Sequence, residues 1–166
     1  LAQRGDPVAL PAVQAAAQSP ESAVRTAAWA ALGELGDARI VPLLAQAALS
    51  ADANEQQAAR TALVTLWRGE VAEALVQHLG RAPATMQVEL VRALTARAET
   101  TAVPALLQLA GSDRPATRQA VFRALGQLAD GHHAGALVKL LADARDDATR
   151  TGVVGIFESL SERLPT

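Results

Sequence analysis

Apolar side chains recur along this chain at helical spacing, in stretches that come in pairs. From Ser22 to Leu35, the residues Val24, Ala28, Ala31, Leu32 and Leu35 fall on one stripe of a helix, with polar residues between them. From Ile40 to Leu49 the pattern repeats on a shorter scale through Leu43, Leu44, Ala47 and Ala48. The punctuation agrees with two helices. Ser19-Pro20-Glu21 offers a capping hydroxyl, then a proline for the first turn, where a missing N–H costs nothing. Gly36 can end the longer helix in the left-handed region, and Asp37 can cap the next one. Links of about two to six residues make such helices antiparallel neighbours.

The pair repeats. Leu32, Leu63, Leu94, Leu125 and Ile156 stand 31 residues apart, preceded by Ala31, Ala62, Ala93, Ala124 and Gly155. A second column holds Val13, Leu44, Leu75, Leu106 and Leu137, and a third Ala16, Ala47, His78, Leu109 and Leu140. These columns predict an array with no insertion across the chain. Neither helix of a unit can bury its stripe alone, so each pair must stack on the next. Composition supports this. Of 166 residues 39 are alanine, while aromatic residues make up 2%, which favours closely packed helices over sheet. The weakest unit runs from Ala51 to Ala82, where Trp67-Arg68-Gly69-Glu70 replaces the leucine, glycine and aspartate punctuation; Trp67 is expected to pack against a distorted turn.

The string VRTAAWAALGELGDARIVPLLAQA, Val24 to Ala48, resembles a HEAT repeat of the short kind found in phycobilin lyase subunits. The likeness extends over residues 1–166 as a single array. It implies an all-α fold, a right-handed α-solenoid (an α-α superhelix) of about five stacked helical pairs. Leu1–Asp6 matches Leu32–Asp37, so the opening residues are expected to be the tail of a truncated preceding repeat, and the whole a fragment of a longer chain. Leu164-Pro165-Thr166 stops where a further first helix is due.

Charge and chemistry narrow the function. The net charge of −2 provides no global field for nucleic acid, and 14 of the 15 basic residues are arginine. No run approaches the roughly 18–20 apolar residues of a membrane helix. With no cysteine there is no disulfide framework or thiolate metal site, and neither cytoplasm nor export is favoured. Nucleophile-elbow, dinucleotide and phosphate-loop motifs are missing, so no catalytic, cofactor-binding or metal-binding residues are assigned and no enzyme activity is expected. His78 belongs to a helix column, and His132 and His133 read as surface residues at a helix start. The deoxyhypusine hydroxylases, which share the HEAT-like fold, hold two irons through His-Glu steps; this chain has no His-Glu dipeptide. Asp143, Asp146 and Asp147 lack the loop pattern and central glycine of a calcium site and read as helix caps.

In HEAT-like stacks the second helices line the concave wall. The non-core positions there include Arg25, Trp29, Arg60, Arg92, Arg118, Phe122 and Arg123, whereas acids lie mainly at turns and first helices, with Glu55 and Glu89 as exceptions. Arginine and tryptophan are the types that anchor interfaces. The expectation is a non-catalytic interaction scaffold that binds a protein or acidic peptide along a basic strip containing those seven residues, with flanking domains of the same chain as further candidates. Two alternatives come from the resemblance: a nucleic-acid-binding HEAT-like protein, as among the DNA glycosylases, and a bilin lyase-like chaperone subunit. A single lysine and the net charge argue against the first.

Overall fold

The computed structural model describes residues 9–163, which form ten α-helices and no strand. The first helices are α1 Leu10–Ala16, α3 Val41–Ala47, α5 Val71–Leu79, α7 Val103–Leu109 and α9 Ala134–Ala142. The second helices are α2 Ser22–Leu35, α4 Ala53–Thr65, α6 Ala84–Ala96, α8 Pro115–Leu128 and α10 Asp147–Arg163. They alternate to make five pairs, an α-solenoid. The Leu1–Asp6 echo and the end at Leu164–Thr166 fall outside the described residues. Among the described residues no helix is long and apolar enough to cross a membrane.

The columns are the core. Leu32, Leu63, Leu94, Leu125 and Ile156 are at most 1% exposed, and Leu44, Leu75, Leu106 and Leu137 are fully buried. The column of His78 is half-buried throughout, which is why one polar residue is tolerated in it. The strict period holds for four second helices and then slips. Buried Thr117, Val121, Ala124 and Leu128 recur as Thr149, Val153, Ile156 and Leu160, a step of 32 (149 − 117), because one extra residue enters between the starts of α9 and α10, so Ile156 takes the seat of Ala124 and not, as expected, that of Leu125. Second helices pack on one another more closely than first helices do, so the stack curves around them and they form its inner layer.

The helix ends depart from expectation in three ways. Gly36 is extended, φ −75° and ψ 176°, not left-handed. It is needed for space, since a Cβ there would stand 2.6 Å from the Leu32 carbonyl oxygen and 2.2 Å from Ile40 Cδ1. Ser19 caps a turn ahead of α2, accepting from Glu21 N at 3.2 Å, and the helix itself starts at Ser22. Trp67 does not pack against its turn: it is 67% exposed, with the Arg68 guanidinium 4.9 Å from its ring centre. Asp37 does cap as expected, accepting from Arg39 N at 2.9 Å, and the Arg39 guanidinium holds its carboxyl below the usual range.

What the sequence pattern did not signal is how the second helices end. Arg97, just past α6, donates to the Val64 and Leu66 carbonyls at the end of α4, at 2.7 and 2.6 Å. Arg163 does the same for α8, reaching Gly126, Gln127 and Ala129 at 2.7, 2.6 and 2.9 Å. Arg68 reaches Leu35 at the end of α2 at 3.1 Å. Each cation meets the negative end of a helix dipole and satisfies carbonyls that lack an intrahelical partner. Helix α6 ends differently, with Ala98 at φ 55° and Glu99 N bonded to the Leu94 carbonyl at 3.0 Å. A left-handed alanine is strained where glycine is not. Ala98→Gly is therefore expected to stabilise the array by about 0.5–1 kcal/mol, seen as a higher urea midpoint; an unchanged or lower midpoint would contradict the strain.

Candidate partner-binding surface

Successive second helices are joined by polar contacts from one unit to the next. Arg25 on α2 bonds Glu55 on α4, and Ser22 Oγ donates to Asp52 Oδ2 at 2.7 Å. Arg60 on α4 grips Glu89 on α6 through Nε and Nη2, both at 2.7 Å. Arg118 on α8 reaches Asp146 beside α10 at 3.3 Å. Glu55 and Glu89 are buried, so the facing guanidinium is what keeps each carboxylate from being stranded in a dry junction. The Arg25 hydrogen bond holds Glu55 below the usual carboxylate range, and the Ser22 hydroxyl does the same for Asp52. Arg25 is raised by its bond to Glu55, and Arg60 by its bonds to Glu89. The two acids that stood apart from the turn pattern are thus the sockets of a register lock.

This pairing changes the standing of the seven expected residues. Arg25, Arg60 and Arg118 are spent within the stack. Trp29 does not line an open wall. It is 6% exposed, because its column faces the next second helix, as Arg60 and buried Val91 show one and two units on. Among the described residues its indole N–H has no hydrogen-bond partner. Phe122 is half-buried and lies flat on Gly152 of α10, where a Cβ would sit 2.3 Å from the ring. Arg92 and Arg123 stay outward. The Arg92 side chain is 56% exposed and 3.6 Å from a Glu89 already gripped by Arg60. Arg123 is exposed, with no ion pair or hydrogen bond among the described residues.

The two outward arginines share a trough. A hollow of about 300 Å³ between α4 and α6 is lined by Arg60, Leu63, Val64, Arg92 and Ala96 among others. A second of about 270 Å³ between α6 and α8 is lined by Val88, Val91, Arg92, Ala120, Arg123 and Gln127 among others. Arg92 and Ala96 border both, so the hollows run together across three helices. A wider hollow of about 850 Å³, with Arg118 and Phe122 on its wall, lies between α8 and α10 at their N-terminal halves, apart from the trough. The trough can hold aliphatic groups on its floor and anionic groups at its rim.

No metal-holding arrangement accompanies it. Among the described residues no three histidine, aspartate, glutamate or cysteine side chains gather as a group. His133 Nδ1 lies 2.7 Å from Asp130 Oδ1 in a capping box at the turn before α9. Asp146 caps α10 by accepting from Thr149 N at 2.8 Å, which lowers its pKa.

Comparison with known proteins bears on this fold. The human deoxyhypusine hydroxylase structure, solved in complex with glycerol, is similar at 21% identity and a TM-score of 0.56, covering 98% of this chain. This chain spans 65% of that protein's length, and the likeness shows the fold alone. A crystal structure of an engineered protein matches at 19% identity and a TM-score of 0.44, over 97% of this chain and 87% of that one. No curated protein matches the chain. The family model described as HEAT repeats matches residues 1–64 and 72–155, passing over the segment that contains Trp67. A repeat model that matches most of the chain on both sides of its irregular turn settles the family: the chain belongs to the HEAT-repeat proteins.

Proposed function

We propose that this array is a non-catalytic protein–protein interaction scaffold, with its partner surface in the trough over α4, α6 and α8. The observation that carries the reading is the survival of Arg92 and Arg123 as outward cations above an apolar floor, while the other arginines of the strip are consumed between repeats. Interfaces are anchored by this combination, a guanidinium beside a dry apolar patch. The same pairing removes the continuous basic face that nucleic acid requires.

Arg92→Glu combined with Arg123→Glu is expected to abolish partner capture, a loss of roughly 100-fold or more in affinity. Helicity and melting should not change, because neither side chain is needed by the stack. Affinity capture from the source organism with both proteins checks this. Recovery of the same proteins by the double variant would refute the trough as the partner surface.

A further inference from the structure

We infer that the α6–α8 hollow binds an extended acidic segment of a partner protein, with two carboxylates three residues apart, one on Arg92 and one on Arg123. This rests on the trough being the partner surface and adds the chemistry of what enters it. Positive charge exceeds negative on this side. Glu89 is already held by both donors of Arg60, leaving Arg92 with a 3.6 Å approach, and Arg123 has no partner among the described residues. A carboxylate between an aliphatic floor and an outward guanidinium is a charge-assisted pair in a partly dry site.

Shape selects an extended chain. The hollow is about 270 Å³, floored by Val88, Val91, Ala120 and Ala124. A helix is about 10–12 Å across and would ride above so small a space, whereas an extended backbone can lie in it. Spacing selects the register. Arg92 and Arg123 hold equivalent positions on neighbouring second helices, 31 residues apart, and packed helix axes stand about 8–10 Å from each other. An extended polyproline-II chain has three residues per turn and rises about 3.1 Å per residue, so acids at i and i+3 share one face about 9 Å apart and reach both cations. The Gln127 side chain lines the same hollow and can bond the backbone of the segment.

The test is selection of random twelve-residue linear peptides on the 166-residue chain, with binding re-measured on Arg92→Gln/Arg123→Gln and on Ala96→Trp, which fills the trough from its rim. The expected peptides carry aspartate or glutamate at i and i+3 around an aliphatic residue. They lose about 30-fold or more on the arginine double variant and fail on Ala96→Trp. Peptides that fail on Ala96→Trp but lack the acidic pair overturn this inference and leave the scaffold reading standing. Peptides that bind Ala96→Trp undiminished, or no enrichment at all, overturn both. A labelled twenty-nucleotide DNA strand that binds more tightly than the best peptide and is lost on the arginine double variant also overturns the inference, in favour of a nucleic-acid surface.

Discussion

Gly33→Val is expected to destabilise the array by about 2–4 kcal/mol, among the largest losses from a single added side chain. Gly33 lies inside α2, where glycine costs about 1 kcal/mol relative to alanine, so in an isolated helix alanine would help. Here the glycine is a contact surface. A Cβ at Gly33 would stand 2.7 Å from Ala62 Cα, 2.8 Å from Thr65 Oγ1 and 2.9 Å from Ala62 Cβ on α4. Ala62 meets it with backbone, which cannot rotate aside, so α2 and α4 must part along their length. That separation would also stretch Arg25 from Glu55, coupling the packing to the ion pair. Urea denaturation of Gly33→Ala, Gly33→Val and Gly33→Ala/Ala62→Gly measures this. Loss should grow from alanine to valine, and the Ala62→Gly change should return part of it; a Gly33→Ala protein more stable than the parent would show that the contact does not limit the stack.

Leu94→Ala should cost about 3–4 kcal/mol, and Leu160→Ala distinctly less. Leu94 is 0% exposed in the middle unit, whereas Leu160 is 8% exposed in the last described helix. In a stack whose stability is a sum over neighbouring units, a central cavity weakens the contacts with two neighbours and a terminal one only one. For a chain of this length the central change corresponds to roughly 6–16 °C in melting temperature. The junction beside Leu94 is the looser of those between second helices, held by the Arg60–Glu89 grip and by Arg97 on the end of α4. Loss of Leu94 should therefore also lower the denaturant slope as the two halves begin to melt apart. Equal losses at Leu94 and Leu160 would argue that the array unfolds as one indivisible body.

Arginine has two structural duties here that no local pattern separates from a binding duty. On the sequence, Arg25, Arg60, Arg92, Arg118 and Arg123 are alike: each sits off the core stripe of a second helix. Their fates diverge through partners 28 to 30 residues away, Glu55, Glu89 and Asp146, whose positions relative to each arginine depend on the stagger between helices. Glu55 and Glu89 could have been suspected, since they break the rule that acids keep to turns. Arg97 and Arg163 gave no such hint, because capping a preceding helix requires knowing where that helix ends in space. Trp29 shows the reverse error. Its position lies off the leucine stripe of a second helix, which placed it on the concave wall, yet its column is a junction in which Arg60 meets Glu89, Phe122 meets Gly152 and Val91 is buried.

The chain alone determined the number of units, the helical pairs and the buried leucine columns. A spacing of 31 with apolar residues at helical intervals has one economical solution, in which equivalent stripes cover one another. Ser22–Leu35 and the Asp37 cap follow from the same local rules. The stagger between helices, the one-residue slip before α10, the extended Gly36 and the choice of Arg92 and Arg123 as outward cations were decided only in three dimensions. Burial is written into each helix by its own periodicity. Which charges neutralise one another is set by distances between helices, and a register shift of a single residue would deal the partners differently.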